Sequence, residues 1–162
     1  MKSIKFFIIL FAAATLAACG SEATIRPVAY KTATLSFRTI SSAHSAPLQG
    51  IQMTVKLPQG ATVTDVSKAV TGRTGQLDAG SLSYSTADNT VTFSVTDVSS
   101  IKLGPAFADL KCDIDPAYSL DAGSFAAANK PSFPFLEMTG VANGTSVNLV
   151  PEINIDMAVK LQ

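Results

Sequence analysis

The chain has no tryptophan, a single histidine and only two cysteines, and just 15% of its residues are charged. Each shortage closes a route. Without tryptophan, and with Tyr30, Tyr84 and Tyr118 as its three tyrosines, the chain is poorly equipped for the planar aromatic strips that stack on sugars. One histidine and two cysteines cannot assemble a Cys/His zinc cluster. The twelve bases and twelve acids are scattered and cancel. No basic field therefore attracts phosphates, and nucleic acid is not an expected partner. No long amphipathic helical pattern is visible either, nor any internal repeat. What remains is 162 residues, 47% of them hydrophobic, enough for one domain with a real core and too few for two.

The first of the two cysteines, Cys19, follows a run with the layout of a secretory leader. Lys2 and Lys5 stand before an apolar stretch from Phe6 to Leu16, which is too short to span a bilayer, and the small residues Ala17 and Ala18 close it. Leu16-Ala17-Ala18-Cys19 resembles the bacterial lipobox. That resemblance implies cleavage before Cys19 and acylation of its sulfur and new amino terminus. Several acyl chains, each contributing roughly 0.8 kcal/mol per buried CH₂, hold a chain on a membrane where a single one does not. Gly20 rather than Asp follows, which implies sorting to the outer membrane. Removing the leader deletes two lysines and no acid, leaving a mildly acidic mature chain. Residues 20–27 are polar and end in Pro27; at about 3.3 Å per residue they form a tether reaching on the order of 25 Å. The expected layout is a leader over 1–18, a lipidated terminus and tether over 19–29, and one folded domain over 30–162.

Within that domain the hydrophobic period is two. Ile51, Met53, Val55 and Leu57 alternate with polar residues, which places the apolar set on one face of a strand. The same holds for Leu35 and Phe37, for Leu82 and Tyr84, for Val91, Phe93 and Val95, and for Ala108, Leu110, Cys112 and Ile114. From Val147 to Leu161 one parity is kept, interrupted by Pro151, which marks an edge or a bulge. Turn signals at Pro58–Gly60, Asp78–Gly80, Asp88-Asn89, Gly104-Pro105 and Asn143-Gly144 separate the runs. Seven to nine short strands of this kind predict an all-β fold, an antiparallel β-sandwich. A helical turn is expected near Ser124–Asn129, where alanines cluster. Phe133 and Phe135 alternate with prolines and read either as an extended recognition segment or as aromatics plugging one end of the sandwich.

The chemistry-bearing residues are sparse. His44 lies in a Ser-rich loop with Ser41, Ser42 and Ser45, without a nucleophile-elbow pattern, and reads as an exposed loop histidine. Cys112 shares the parity of inward residues, where a thiol acts as a small hydrophobe. Asp113, Asp115 and Asp121 offer oxygens to calcium but lack EF-hand spacing. Glu137 and Glu152 are too distant in sequence to define a glycosidase pair. No catalytic residue, metal or cofactor is expected.

The stretches "LQGIQMTVKLPQGATVTDV", "NTVTFSVTDV" and "GPAFADLKCDID" resemble cohesin-like modules and their relatives in the carbohydrate-binding β-sandwich superfamily. The resemblance implies a jelly-roll-like sandwich that docks proteins or glycans without catalysis. The function expected is that of a non-catalytic protein-docking module anchored by lipid to the outer membrane, its partner a protein of the envelope or outside it. The alternative is a lipoprotein that retains polysaccharide.

Overall fold

The computed structural model describes residues 30–41 and 44–162. The leader, Cys19, the tether and Ser42 lie outside the described residues. In chain order the elements are β1 (Thr32–Ile40), β2 (Leu48–Lys56), β3 (Ala61–Thr62), α1 (Val66–Ala69), β4 (Val70–Gly72), β5 (Gln76–Leu77), a 3-10 turn (Ala79–Ser81), β6 (Ser83–Ser85), β7 (Thr90–Thr96), β8 (Ala106–Ile114), α2 (Ala122–Ala128), β9 (Phe135–Ala142), β10 (Thr145–Asn148) and β11 (Asn154–Leu161). Sheet A runs β11-β1-β8-β3, with β4 also on β8; sheet B runs β10-β9-β2-β7-β5, with β6 also on β7. Every pairing is antiparallel.

The fold is the expected all-β sandwich. Its short segments are broken edge strands. β3 and β4 lie along the same side of β8, parted by α1, and β5 and β6 lie likewise along β7, parted by the 3-10 turn. Short, interrupted edges offer little template for pairing with a second chain.

Alternation places the core. Leu35 and Phe37 from sheet A meet Ile51, Met53, Val55, Val91, Phe93 and Val95 from sheet B, all fully buried. Phe37 is the hinge of this contact, with ring centroids 5.7 Å from Phe93 across the sheets and 6.4 Å from Phe107 within its own. Each such side chain stabilises the fold by roughly 1.5–3 kcal/mol. Phe133 closes one side, its ring edge-on to Phe37 at 6.1 Å; of the two readings of the Phe-Pro segment, Phe133 takes the plugging one. Phe135 begins β9 and stays 44% exposed.

Three local features depart from simple alternation. In β8 the register slips opposite Phe37 and Arg38, so Phe107 is an extra residue and both it and Ala108 point inward. The helix α2 starts at Ala122, two residues ahead of the expected turn, because Asp121 caps it: its carboxylate accepts from Ser124 N at 2.7 Å, and the Ser124 hydroxyl answers to the Asp121 backbone. The single-parity run from Val147 to Leu161 belongs to two strands in different sheets. Pro151 lies in the turn between β10 and β11, where the chain crosses from sheet B to sheet A. Parity survives the crossing because both strands present the same set to one shared core.

The tight turn of β9 and β10 is the Asn143-Gly144 pair, with φ of 51° and 76°, as a two-residue hairpin requires. Gly140 permits a close approach: a Cβ there would meet the Pro47 carbonyl at 2.5 Å.

Candidate functional site

The strand directions define two ends. β1 leaves Tyr30 and runs away from it, so the starts of β1, β7 and β9 and the finishes of β2, β8 and β11 share one end, here called the root. The opposite end, the loop end, gathers residues 44–47 and 97–104, the Asn143-Gly144 turn and residues 149–153.

The root is tied together by side chains. Lys31 N and Thr32 N donate to Gln162 O, binding the first strand to the last. Asn89 takes a positive φ of 54° and its amide donates to the carbonyls of Leu57, Pro58 and Ala61, while its Oδ1 accepts from the Tyr84 hydroxyl at 2.8 Å. Asn129, almost fully buried, ends α2. Its Oδ1 accepts from Lys56 N and its Nδ2 donates to Lys56 O, so one amide prolongs the β2 ladder and also reaches Phe125 O. Tyr118 lies over Gly60, where its ring fills the space of a Cβ. Neither asparagine had a signal in the sequence beyond the turn propensity of Asp88-Asn89; apart from Tyr84 and Phe125, their partners come from segments far along the chain.

The loop end is stitched more sparingly. Glu152 receives Ser45 through both its backbone N and its hydroxyl, the latter at 2.8 Å, and Ser41 Oγ donates to the Glu152 carbonyl. These Ser45 bonds, helped by the nearby charge of His44, hold the Glu152 carboxyl below the usual glutamate value. Asp97 N donates to Gln49 O, Gln49 Nε2 to Val98 O, and Ser99 N to the Asp97 carboxylate. The tip so held points Val98 into solvent at 95% exposure. Ile40 at the finish of β1 is 51% exposed and Val141 near the finish of β9 is 41% exposed. Single exposed apolar residues are ordinary, but three of the five large ones on the described surface belong to this one end. Two hollows open beside them: about 350 Å³ between Arg38, Ile40, Ser41 and Leu103, and about 370 Å³ between His44, Ser45, Pro47 and Ser99. A serine-rich, partly rigid loop surface with apolar tips is a composition suited to protein contact.

A further cleft, about 430 Å³, follows the free edge of β11. It is lined by the consecutive residues Ile153 to Met157 on one side and by Lys130 to Phe133 on the other.

The candidate residues from the sequence fall out as follows. His44 is exposed in its loop, and Ser45 and Glu152 lie beside it. Ser45 Oγ donates straight to the carboxylate, with no imidazole interposed as a Ser-His-acid relay requires. Cys112 is buried, its thiol 3.7 Å from the Ala33 carbonyl, and burial pushes its pKa up to about 12, an inert setting. The three aspartates offered to calcium are separately employed. Asp113 accepts from Thr64, Asp115 closes a turn on Ala117 N, and Asp121 caps α2. Among the described residues no group of three or more His, Cys, Asp or Glu side chains converges as a metal site. Glu137 stands on the outer face of sheet B, away from Glu152 at the loop end. No helix of the described residues is long and apolar enough to cross a membrane. No protein-family model, no curated protein and no solved structure matches this chain.

Proposed function

We propose that the chain is an outer-membrane lipoprotein, anchored through Cys19, whose cohesin-like sandwich is a non-catalytic docking module with its protein-binding surface at the loop end. The observation that carries this reading is polarity along the long axis. The chain emerges toward its N-terminus at the root, beside Gln162, while the exposed apolar residues Ile40, Val98 and Val141 all lie toward the opposite end, Ile40 on the outer side of sheet A and Val141 on that of sheet B. A lipid at Cys19 and the tether over residues 20–27, on the order of 25 Å at full stretch, keep the root near the membrane and present the loop end outward.

The anchor and the docking surface are tested apart. Cys19→Ser is expected to abolish lipid labelling and release the chain from the membrane fraction; retention with unchanged labelling overturns the anchor. For docking, Val98→Asp in the lipidated chain is expected to lose a partner that the parent holds in stoichiometric amount, with melting unchanged. Equal capture by both contradicts the loop-end assignment.

A further inference from the structure

The edges of the two sheets are built differently. β3 with β4, and β5 with β6, break two of them into pieces of two or three residues, and β10 forms a third of four residues. β11 is the exception. Its eight residues, Asn154–Leu161, keep one unbroken register with β1, without a proline or a bulge. A long, regular free edge is what a sandwich otherwise avoids, because it is a template for another strand.

The ladder fixes which backbone groups that edge offers. Thr32 N donates to Gln162 O at 3.0 Å and Gln162 N to Thr32 O at 2.9 Å, a bonded pair. Alternation along an antiparallel ladder then turns Asn154, Asp156, Ala158 and Lys160 toward β1, and the N–H and C=O groups of Ile155, Met157, Val159 and Leu161 toward the open side. Among the described residues those groups have no hydrogen-bond partner. The side chains of the same four residues face the core yet stay half-buried, whereas Ala33, Leu35 and Phe37 beside them on β1 are fully buried. Ladder and core are thus both incomplete at one strand. The cleft of about 430 Å³ opens there, with Ile155 and Met157 on one wall and Phe133, Leu136 and Val150 around it.

We infer that the free edge of β11 binds β11 of a second copy of this chain, antiparallel, about a twofold axis at Ala158. The occupant is written in the strand itself. In this register Ile155 meets Leu161 of the second copy and Met157 meets its Val159, each as a bonded pair made by the groups left open. Ala158, small and exposed, meets its own counterpart on the outer face. Asp156 meets Lys160 of the second copy, and the axis repeats that opposite-charge pair. The Asp156 carboxylate, which accepts from Arg38 at 2.7 Å, thereby stands between two cations. Sliding the pair by two residues keeps open groups opposite each other but parts Asp156 from Lys160, so charge selects the register. Val159 and Leu161 of the second copy cover Met157 and Ile155 at the cleft. Such a contact is isologous and closes as a pair instead of growing into a fibre. The axis stands across the shared sheet, so the two roots leave at opposite ends, and tethers on the order of 25 Å reach one membrane when the strands lie along it. The inference goes beyond the docking role and stands without the anchor.

The experiment measures mass by sedimentation of the full chain as cells process it, purified in detergent so that lipidated and unlipidated protein are read alike. The parent is expected to be a dimer. Lys160→Glu sets acid against acid and Asp156→Lys base against base, and each variant alone is expected to sediment as a monomer. An equimolar mixture of the two restores both opposite-charge pairs and is expected to recover the dimer, which a folding defect would not. Val159→Pro, which removes a donor that β1 does not use, is expected to be monomeric as well. Ala158→Cys is expected to give a covalent dimer on oxidation, since the Cα atoms of a facing non-bonded pair lie about 4.5 Å apart, within disulfide reach. Lys111→Cys, in the middle of sheet A, is expected to give none. A monomeric parent, a dimer that survives Lys160→Glu and Val159→Pro, no recovery on mixing, or equal cross-linking from positions 111 and 158 overturns the inference. Failure here leaves the protein-docking test untouched, because that test reads Val98.

Discussion

The root and the loop end are built from the same strands, yet their polar groups do different work. At the root, two asparagine side chains together make seven hydrogen bonds to neighbouring segments, joining α2, β2, β6 and the turn before β3. At the loop end, Glu152 and Asp97 hold the loops in place from half-buried positions, and Val98 beside Asp97 stands in solvent. One end is organised inward and the other presents its side chains. Under the proposed anchoring through Cys19, that division would separate the groups that maintain the fold from those that face a partner.

Substitutions at the two ends should therefore separate stability from binding. The largest effect is expected at Asn89. Asn89→Ala removes three donations to carbonyls and leaves a β-carbon at positive φ, a loss of about 2–3 kcal/mol read by denaturant unfolding. Asn129→Ala strips Lys56 of both ladder bonds and should cost about 1–2 kcal/mol, with α2 losing hydrogen-exchange protection first. If either variant melts as the parent does, the root is not the structural end. At the loop end the response is one of pH. Because the folded Glu152 carboxyl is held below its ordinary value of 4.5, its contribution is present above that value and is lost as pH falls through the lowered one. The Ser45 amide resonance should titrate with a midpoint below 4.5 while the core signals stay unchanged. Val98→Asp should be the mildest for the fold, within about 0.5 kcal/mol, because its side chain is already in water.

The strands were legible because alternation survives wherever a strand is regular, and β2 and β7 show it along most of their length. Bulges were not. One extra residue at Phe107 turns two neighbours inward, and no local pattern marks the slip, which is fixed by Phe37 and Arg38 on the facing strand. Of the broken edge strands, β6 was read from Leu82 and Tyr84, while β3, β4 and β5 escaped because two or three residues carry too little periodicity to read. Pro151 was recognised as an interruption, but a shared core let one parity run through a change of sheet. Of the candidate site, the exposed His44 loop was visible as a polar, Ser-rich stretch. Its tie to Glu152, 107 residues on from Ser45, was not, nor was the placement of Ile40, Val98 and Val141 toward one end. Both need the topology, because sequence neighbours at the tips of a sandwich are seldom spatial ones. The buried thiol of Cys112 is the opposite case, read correctly from parity alone.

The most direct test of the docking account compares the two ends in the living envelope. A photo-reactive residue is placed at Val98 in one lipidated chain and at Tyr118, on the root, in another, and the cells are irradiated. The account predicts a discrete protein adduct from position 98 that is absent from position 118. No adduct from position 98, or the same adduct from both, would contradict it.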